Sequence, residues 1–309
     1  MGIWESVGFD DPGAMPFFTD LQINGAGEVD LLSATSVDEI HRLGRELFAQ
    51  GTIAYQPSLI SASEEATIRA ISLIESARRE QREDEAEILG IHLEGPFLSA
   101  SMAGAHPKEH LRLPDTKSIS RYLSAGTITM VTIAPELPGA IDLIRFIVSM
   151  GVKVSIGHSD ANKEEARAAF AAGASFVTHI FNRCSQDLIE VALQESEANL
   201  MLIADGSHVS DERIAQVFET AGDRIVATTD SVSITGLNAQ GLEIRDGAAF
   251  RVDGVKAGSI ATMRALWERI SRVVDQEAAA MACATRPAAL MGRAELGLLE
   301  FGYPAQRPF

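Results

Sequence analysis

The chain has 309 residues, 46% of them apolar and 22% charged, a balance that excludes a disordered or fibrous protein and suits a soluble globular enzyme. Its 26 Lys and Arg against 43 Asp and Glu give a formal charge of −17, which argues against nucleic-acid or anionic-membrane partners and obliges any anionic small molecule to find a local positive site. Two cysteines, Cys184 and Cys283, imply no disulfide framework, and no stretch approaches the roughly 20 apolar residues of a membrane span, so the expectation is a cytoplasmic protein acting on a small molecule.

Along the chain, strand-like apolar runs alternate with helical patterns. The predicted strands are 17–23, 52–59, 88–92, 128–133, 153–156, 175–179, 200–204 and 224–228. Between them, Ser36 caps a helix ending at Gly51, Ser63 opens a charged-faced run through Arg79, and Pro138 suits the first turn of a helix running to Gly151. Ser159 is placed as the cap of a stretch ending at Gly173, and Ser210 opens another that closes near Gly222. Strands separated by helices pair in parallel through right-handed crossovers, and eight such units over roughly 270 residues match a (β/α)8 TIM barrel. Continuous apolar runs such as Leu200-Met201-Leu202-Ile203-Ala204 fit strands buried on both faces. A doubly wound open sheet is the rival architecture. Asn24-Gly25-Ala26-Gly27 is too short for a dinucleotide fingerprint, so no nicotinamide cofactor is expected. The organisation read from this pattern is one barrel domain over 1–309, with 1–16 and 300–309 as short terminal extensions.

In a barrel the carboxyl ends of the strands form the active face, and polar residues gather there. Strand 1 ends in Asp20-Leu21-Gln22-Ile23-Asn24, strand 3 in His92 and Glu94, strand 5 in His158, strand 6 in His179 and Asn182, strand 7 in Asp205 and His208, and strand 8 in Asp230. One histidine at a strand end is more often a hydrogen-bonded structural residue than a ligand. Four of them with Glu94 reverse that balance, because a carboxylate and imidazoles converging from successive strands suit one divalent cation, with a later aspartate as a base beside it. His41, on a charged helix, is read as part of a solvated face, Glu83-Asp84-Glu85-Ala86-Glu87 as a solvated loop, and Cys184 as small buried filler. Asp20 and Asp205 are as readily structural as functional.

Eight ordered motifs carry a resemblance: Asp20-x-Gln22-x-Asn24-Gly25, His92-Leu93-Glu94-Gly95-Pro96-Phe97, Gly104-Ala105-His106, Ile133-Ala134-Pro135-Glu136, Gly157-His158-Ser159, Thr178-His179-Ile180-Phe181-Asn182, Asp205-Gly206-x-His208-Val209 and Thr229-Asp230. From about residue 16 to about 299 the chain resembles the N-acetylglucosamine-6-phosphate deacetylases of the amidohydrolase superfamily. The resemblance implies that Glu94, His158 and His179 hold one divalent metal ion, zinc or iron, that Asp230 is the general base, and that His106 polarises the acetyl carbonyl. It implies that His208 and Asn182 hold the sugar phosphate, and a homodimer is the family's state. Many relatives carry His-x-His on strand 1 for a second metal. Here those positions are Gln22 and Asn24, poor zinc ligands that are placed with the substrate-binding residues, so a mononuclear site is expected.

Two departures from the family pattern stand out. Strand 1 begins near residue 17 and little follows Leu299, so the accessory β-sandwich built from long terminal segments is expected to be largely absent. After Asn182 the family's Arg-Glu-Pro-Gly phosphate segment is replaced by Arg183-Cys184-Ser185-Gln186, with Arg183 as a candidate substitute. Three readings follow: a metal-dependent deacetylase of an N-acetyl amino sugar, an amidohydrolase of another small or cyclic amide, and a non-catalytic sugar-binding member. The last predicts damage to Glu94, His158, His179 or Asp230, and all four are intact.

Overall fold

The computed structural model describes residues 16–233, 242–245 and 248–297. Eight strands line up in parallel in chain order: β1 Phe18–Ile23, β2 Thr52–Ile60, β3 Ile91–Glu94, β4 Ile128–Ile133, β5 Lys153–Ile156, β6 Phe176–Val177, β7 Asn199–Leu202 and β8 Ile225–Ala227. Just beyond β8 the sheet returns to β1. The Asp230 amide donates to Gln22 O and the Asn24 amide to Ser231 O, both at 2.9 Å, and Ile23 bridges Ser231 in parallel. The result is the (β/α)8 barrel of the sequence reading. Inside it Leu21, Met130, Phe176, Met201 and Val226 pack together, with Leu89, Leu290 and Met291 packed against them, so the interior is a packed core rather than a pore.

Local chemistry explains the helices that fill the crossovers. Ser36, Ser63 and Ser210 accept backbone amides at the starts of Val37–Ala49, Glu64–Arg79 and Asp211–Ala221, satisfying donors that have no partner within the helix. Asp115 caps Thr116–Ala125, a helix missing from the sequence reading. Ser159 is not a cap. Helix Lys163–Ala171 starts at Asn162 in a reciprocal capping box with Glu165, while Ser159 Oγ donates to Glu136 Oε2 at 2.7 Å. Nor does Pro138 open the helix before it, which runs Ala140–Ser149 behind a left-handed Gly139.

Two further expectations are corrected. The third predicted strand is two pieces, Glu87–Ile88 paired with β2 and then β3. Gly90 separates them at φ 108°, where a Cβ would stand 2.5 Å from Thr129 Cγ2. His41 and Glu85 are not solvated. Both are 2% exposed, and His41 Nδ1 donates to Glu85 Oε2 at 2.7 Å.

A three-stranded antiparallel sheet, Leu242–Arg245, Ala248–Arg251 and Lys256–Ser259, follows β8. It is tied to the barrel mouth where the Ser259 amide donates to Asp230 O at 3.0 Å. Outside the barrel, the only other sheet among the described residues is the short pair Gly25–Ala26 and Val29–Asp30. The described residues include no helix long and apolar enough to cross a membrane.

Candidate metal centre and catalytic cleft

Glu94 ends β3, while His158 and His179 stand just beyond β5 and β6. At these strand ends the backbone turns sharply: His158, His179 and Asp230 all adopt positive φ, at 49°, 30° and 48°. Non-glycine residues rarely hold that conformation, and they hold it where the surroundings enforce it, most often at functional sites. The turn aims the side chains across the mouth. Glu94 Oε1 lies 3.1 Å from His158 Nε2 and 2.9 Å from His179 Nε2, and the two Nε2 atoms are 3.1 Å apart.

That geometry fits a cation. His158 Nδ1 donates to Met102 O at 2.9 Å and His179 Nδ1 to Asn182 O at 3.1 Å, so each imidazole turns its Nε2 lone pair to the centre. Two lone pairs facing each other and a carboxylate repel unless a positive charge lies between them, and N2O is a donor set for a borderline divalent ion. These are the three side chains that the described residues place together as a possible ligand group. Without an ion between them, the Nε2 atoms of His158 and His179 can instead carry protons toward Glu94, and these hydrogen bonds outweigh the burial that opposes its charge and hold the carboxyl well below its usual range. Burial likewise opposes charge on His179, but the Glu94 carboxylate raises its pKa. A bound cation displaces that proton.

Asp230 stands beside this centre. Its Oδ1 accepts Asn24 Nδ2 at 2.8 Å and Gln22 Nε2 at 3.1 Å. Gln22 and Asn24, assigned to the substrate from sequence, therefore each direct a side-chain amide at Asp230. Burial and then the Glu94 charge push the Asp230 pKa well above the ordinary carboxyl value.

His106 enters from the loop after β3, with Nε2 3.8 Å from Glu94 Oε2. The Ser61 backbone amide donates to its Nδ1 at 3.1 Å, so the ring proton sits on Nε2 and faces the cleft. Burial, and then the neighbouring His158, lowers its pKa to about 3, so it is a neutral donor.

Asn182, Arg183 and Lys256 line the same cleft as Glu94, His106, His158, His179 and Asp230. His208 donates from Nδ1 to Asp205 Oδ2 at 2.7 Å, and its buried Nε2 has no partner among the described residues. Two acids prove to be braces. Asp20 accepts Thr228 Oγ1 and Thr229 Oγ1 at 2.7 and 2.5 Å, locking β1 to the segment just beyond β8, and Asp205 orients His208. Strand-end His92 faces a buried hydroxyl network, with Nε2 2.7 Å from Thr132 Oγ1.

Sequence reasoning missed Ser61, Lys256 and the Met102 carbonyl. No residue type marks a backbone carbonyl. Lys256 was detectable only through the turn signal Asp253-Gly254, with Gly254 at φ 82°, that folds its strand back over the mouth.

Residues 58–306 match the model of the amidohydrolase family. The human N-acetylglucosamine-6-phosphate deacetylase is 30% identical, over 94% of this chain and 77% of its own length. The crystal structure of N-acetyl-D-glucosamine-6-phosphate deacetylase from Mycobacterium smegmatis is 31% identical with a TM-score of 0.82, covering 90% of this chain and 78% of that one. The Pasteurella multocida enzyme of the same name is 27% identical with a TM-score of 0.85, over 93% and 79%.

Proposed function

The chain belongs to the amidohydrolase family, and on that premise we propose that it hydrolyses the acetamide of an N-acetyl amino sugar, N-acetylglucosamine 6-phosphate being the favoured substrate. The observation that carries the reading is one cleft in which Glu94, His158 and His179 converge within hydrogen-bond distance beside Asp230, a carboxylate held by two amides.

Zinc or iron held by Glu94, His158 and His179 would supply Lewis-acid polarisation and a bound water of lowered pKa. The protein's own residues do the rest. Gln22 and Asn24 occupy Asp230 Oδ1, leaving Oδ2 to take a proton from the attacking water and return it to the departing amine. A pKa above the ordinary carboxyl value suits that group to both transfers. His106 presents its Nε2–H to the acetyl oxygen as negative charge develops there, a role that preorganised donors fill without reorganisation. Asn182, Arg183 and His208 hold the sugar and its phosphate, and release of acetate leaves a free amino sugar.

Acetate release from N-acetylglucosamine, with and without the 6-phosphate, by metal-loaded protein tests this reading. Release from neither sugar sinks it.

A further inference from the structure

Two cations reach the cleft that contains the metal-ligand group. Arg183 comes from the loop after β6, and Lys256 from the last strand of the three-stranded sheet. Neither has a carboxylate partner among the described residues. Arg183 lies over Gly104, where an added Cβ would stand 3.1 Å from Arg183 Nε, and Lys256 Nζ donates to the Ser207 carbonyl at 2.6 Å. By contrast, Arg251 on the adjacent strand pairs with Asp253 at 3.0 Å and Arg269 pairs with Asp211 at 2.7 Å. The cleft's own acids are Glu94 and Asp230, the one committed to the imidazoles and the other to two amides. Lys256 Nζ also stands 5.5 Å from the Phe250 ring centroid, but in a chain of net charge −17 two cations in one cleft without a carboxylate partner among the described residues suit an anion.

Two observations add to this. Ser207, which anchors Lys256, precedes His208, whose side chain is 2% exposed and whose Nε2 lacks any partner among the described residues. Buried polar atoms without partners are uncommon in folded proteins. Burial also pulls the Lys256 ammonium below the usual lysine range, only partly opposed by the Asp205 charge, and an anion placed beside it would offset the remainder.

We propose that Lys256 and Arg183 clamp the anionic group of the substrate between them, and that Lys256 sets the preference for a phosphorylated over a neutral N-acetyl amino sugar. A phosphate monoester matches the pair, a compact ammonium from one element and a forked guanidinium from another. Lys256 is a specificity residue and takes no part in proton transfer. The inference rests on the deacetylase reading for its substrate, but the anion site can be tested separately.

The test uses the metal-loaded full chain as wild type, Lys256→Met, Lys256→Arg and Arg183→Gln. It measures kcat/KM for N-acetylglucosamine with and without the 6-phosphate, and inorganic phosphate binding by calorimetry. In Lys256→Met the phosphorylated-to-neutral ratio should fall by about tenfold or more, mainly through KM, as expected for loss of a charge-assisted contact. Lys256→Arg should restore most of it, and phosphate binding should weaken in parallel. Acetate release with an unchanged ratio in Lys256→Met overturns the clamp and leaves the deacetylase reading standing. If wild type releases no acetate, the reading fails and phosphate binding decides the clamp: weakening in Lys256→Met supports it, and unchanged affinity overturns it.

Discussion

Asn24 donates its side-chain amide to Asp230 Oδ1 at 2.8 Å across 206 residues of sequence, joining the end of the first barrel strand to the carboxylate beyond the last. The bond favours the ionised carboxylate and opposes the burial that raises its pKa. Asn24→Ala should therefore move the acid limb of the kcat profile to higher pH, because Asp230 then holds its proton more tightly. It should lower kcat by no more than about a hundredfold, the low end of what a positioned general base contributes in full, while metal content stays at wild-type level. A pH–rate series on both proteins checks this, and an acid limb that stays put removes Asn24 from the proton-transfer machinery.

The ligand assignment makes a separate claim. His158→Ala or His179→Ala should lose most bound metal, because the remaining two donors no longer enclose the ion. Chelation of the wild type should lower its melting temperature, and added zinc should restore it, since an ion that binds only the folded state stabilises it. Inductively coupled plasma analysis and thermal melts give both answers without a substrate. A full metal complement in either variant would mean that the ligands lie elsewhere.

His106 offers one N–H to a developing oxyanion. Loss of one such donor lowers kcat by about 10²- to 10³-fold, and His106→Ala should show that loss at unchanged metal content. Ser61→Ala should cost far less. The Ser61 backbone amide, which donates to His106 Nδ1, survives that substitution and still keeps the proton on Nε2.

Asp20 gives the pH dependence of stability a defined sign. Burial raises its pKa to about 6 against the hydrogen bonds from Thr229 and Thr228, so the folded state holds the proton more tightly than the unfolded chain. Its favourable contribution is complete below pH ~4 and is lost as pH rises through about 6. Two pH units correspond to roughly 3 kcal/mol at most. Relative to Asp20→Asn, the wild type should lose about 2 kcal/mol between pH 4 and 7, measured by urea unfolding across that range. Parallel stability curves for the two proteins would contradict this account.

The barrel was legible because its strands are buried on both faces, so runs such as Leu200–Leu202 are uniformly apolar, and the metal centre because several histidines and a carboxylate close such runs together, where one alone, like His92, serves structure. Brace residues were harder to read. Gln22 and Asn24 occupy a strand end like any substrate-facing amide, and only the return of β8 beside β1 shows that they point to Asp230. The sheet carrying Lys256 was missed because its short strands hold too few residues for a clear period. Distant partners were hardest of all, as His41 demonstrates.

Helix Val37–Ala49 buries Ile40, Leu43 and Leu47, and His41 flanks that stripe, where its type and spacing suggest solvent. Glu85 reaches it from 44 residues away, made possible by Gly44, where an added Cβ would stand 3.2 Å from Glu85 Cβ. Glu85 also pairs with Arg45 at 3.0 Å. Glu85→Ala leaves the buried His41 without its acceptor, and an unsatisfied buried donor typically costs about 1–3 kcal/mol. The half-exposed Arg45 recovers hydration, so the upper end of that range, about 3 kcal/mol, is the expected loss. His41→Ala should cost less, about 1–2 kcal/mol, because Glu85 keeps its arginine. Urea unfolding of both variants measures the difference, and metal content should match wild type because the pair lies outside the cleft. Losses below about 0.5 kcal/mol in both, the range of ordinary surface substitutions, would show that the buried His41–Glu85 pair contributes no more than a surface contact.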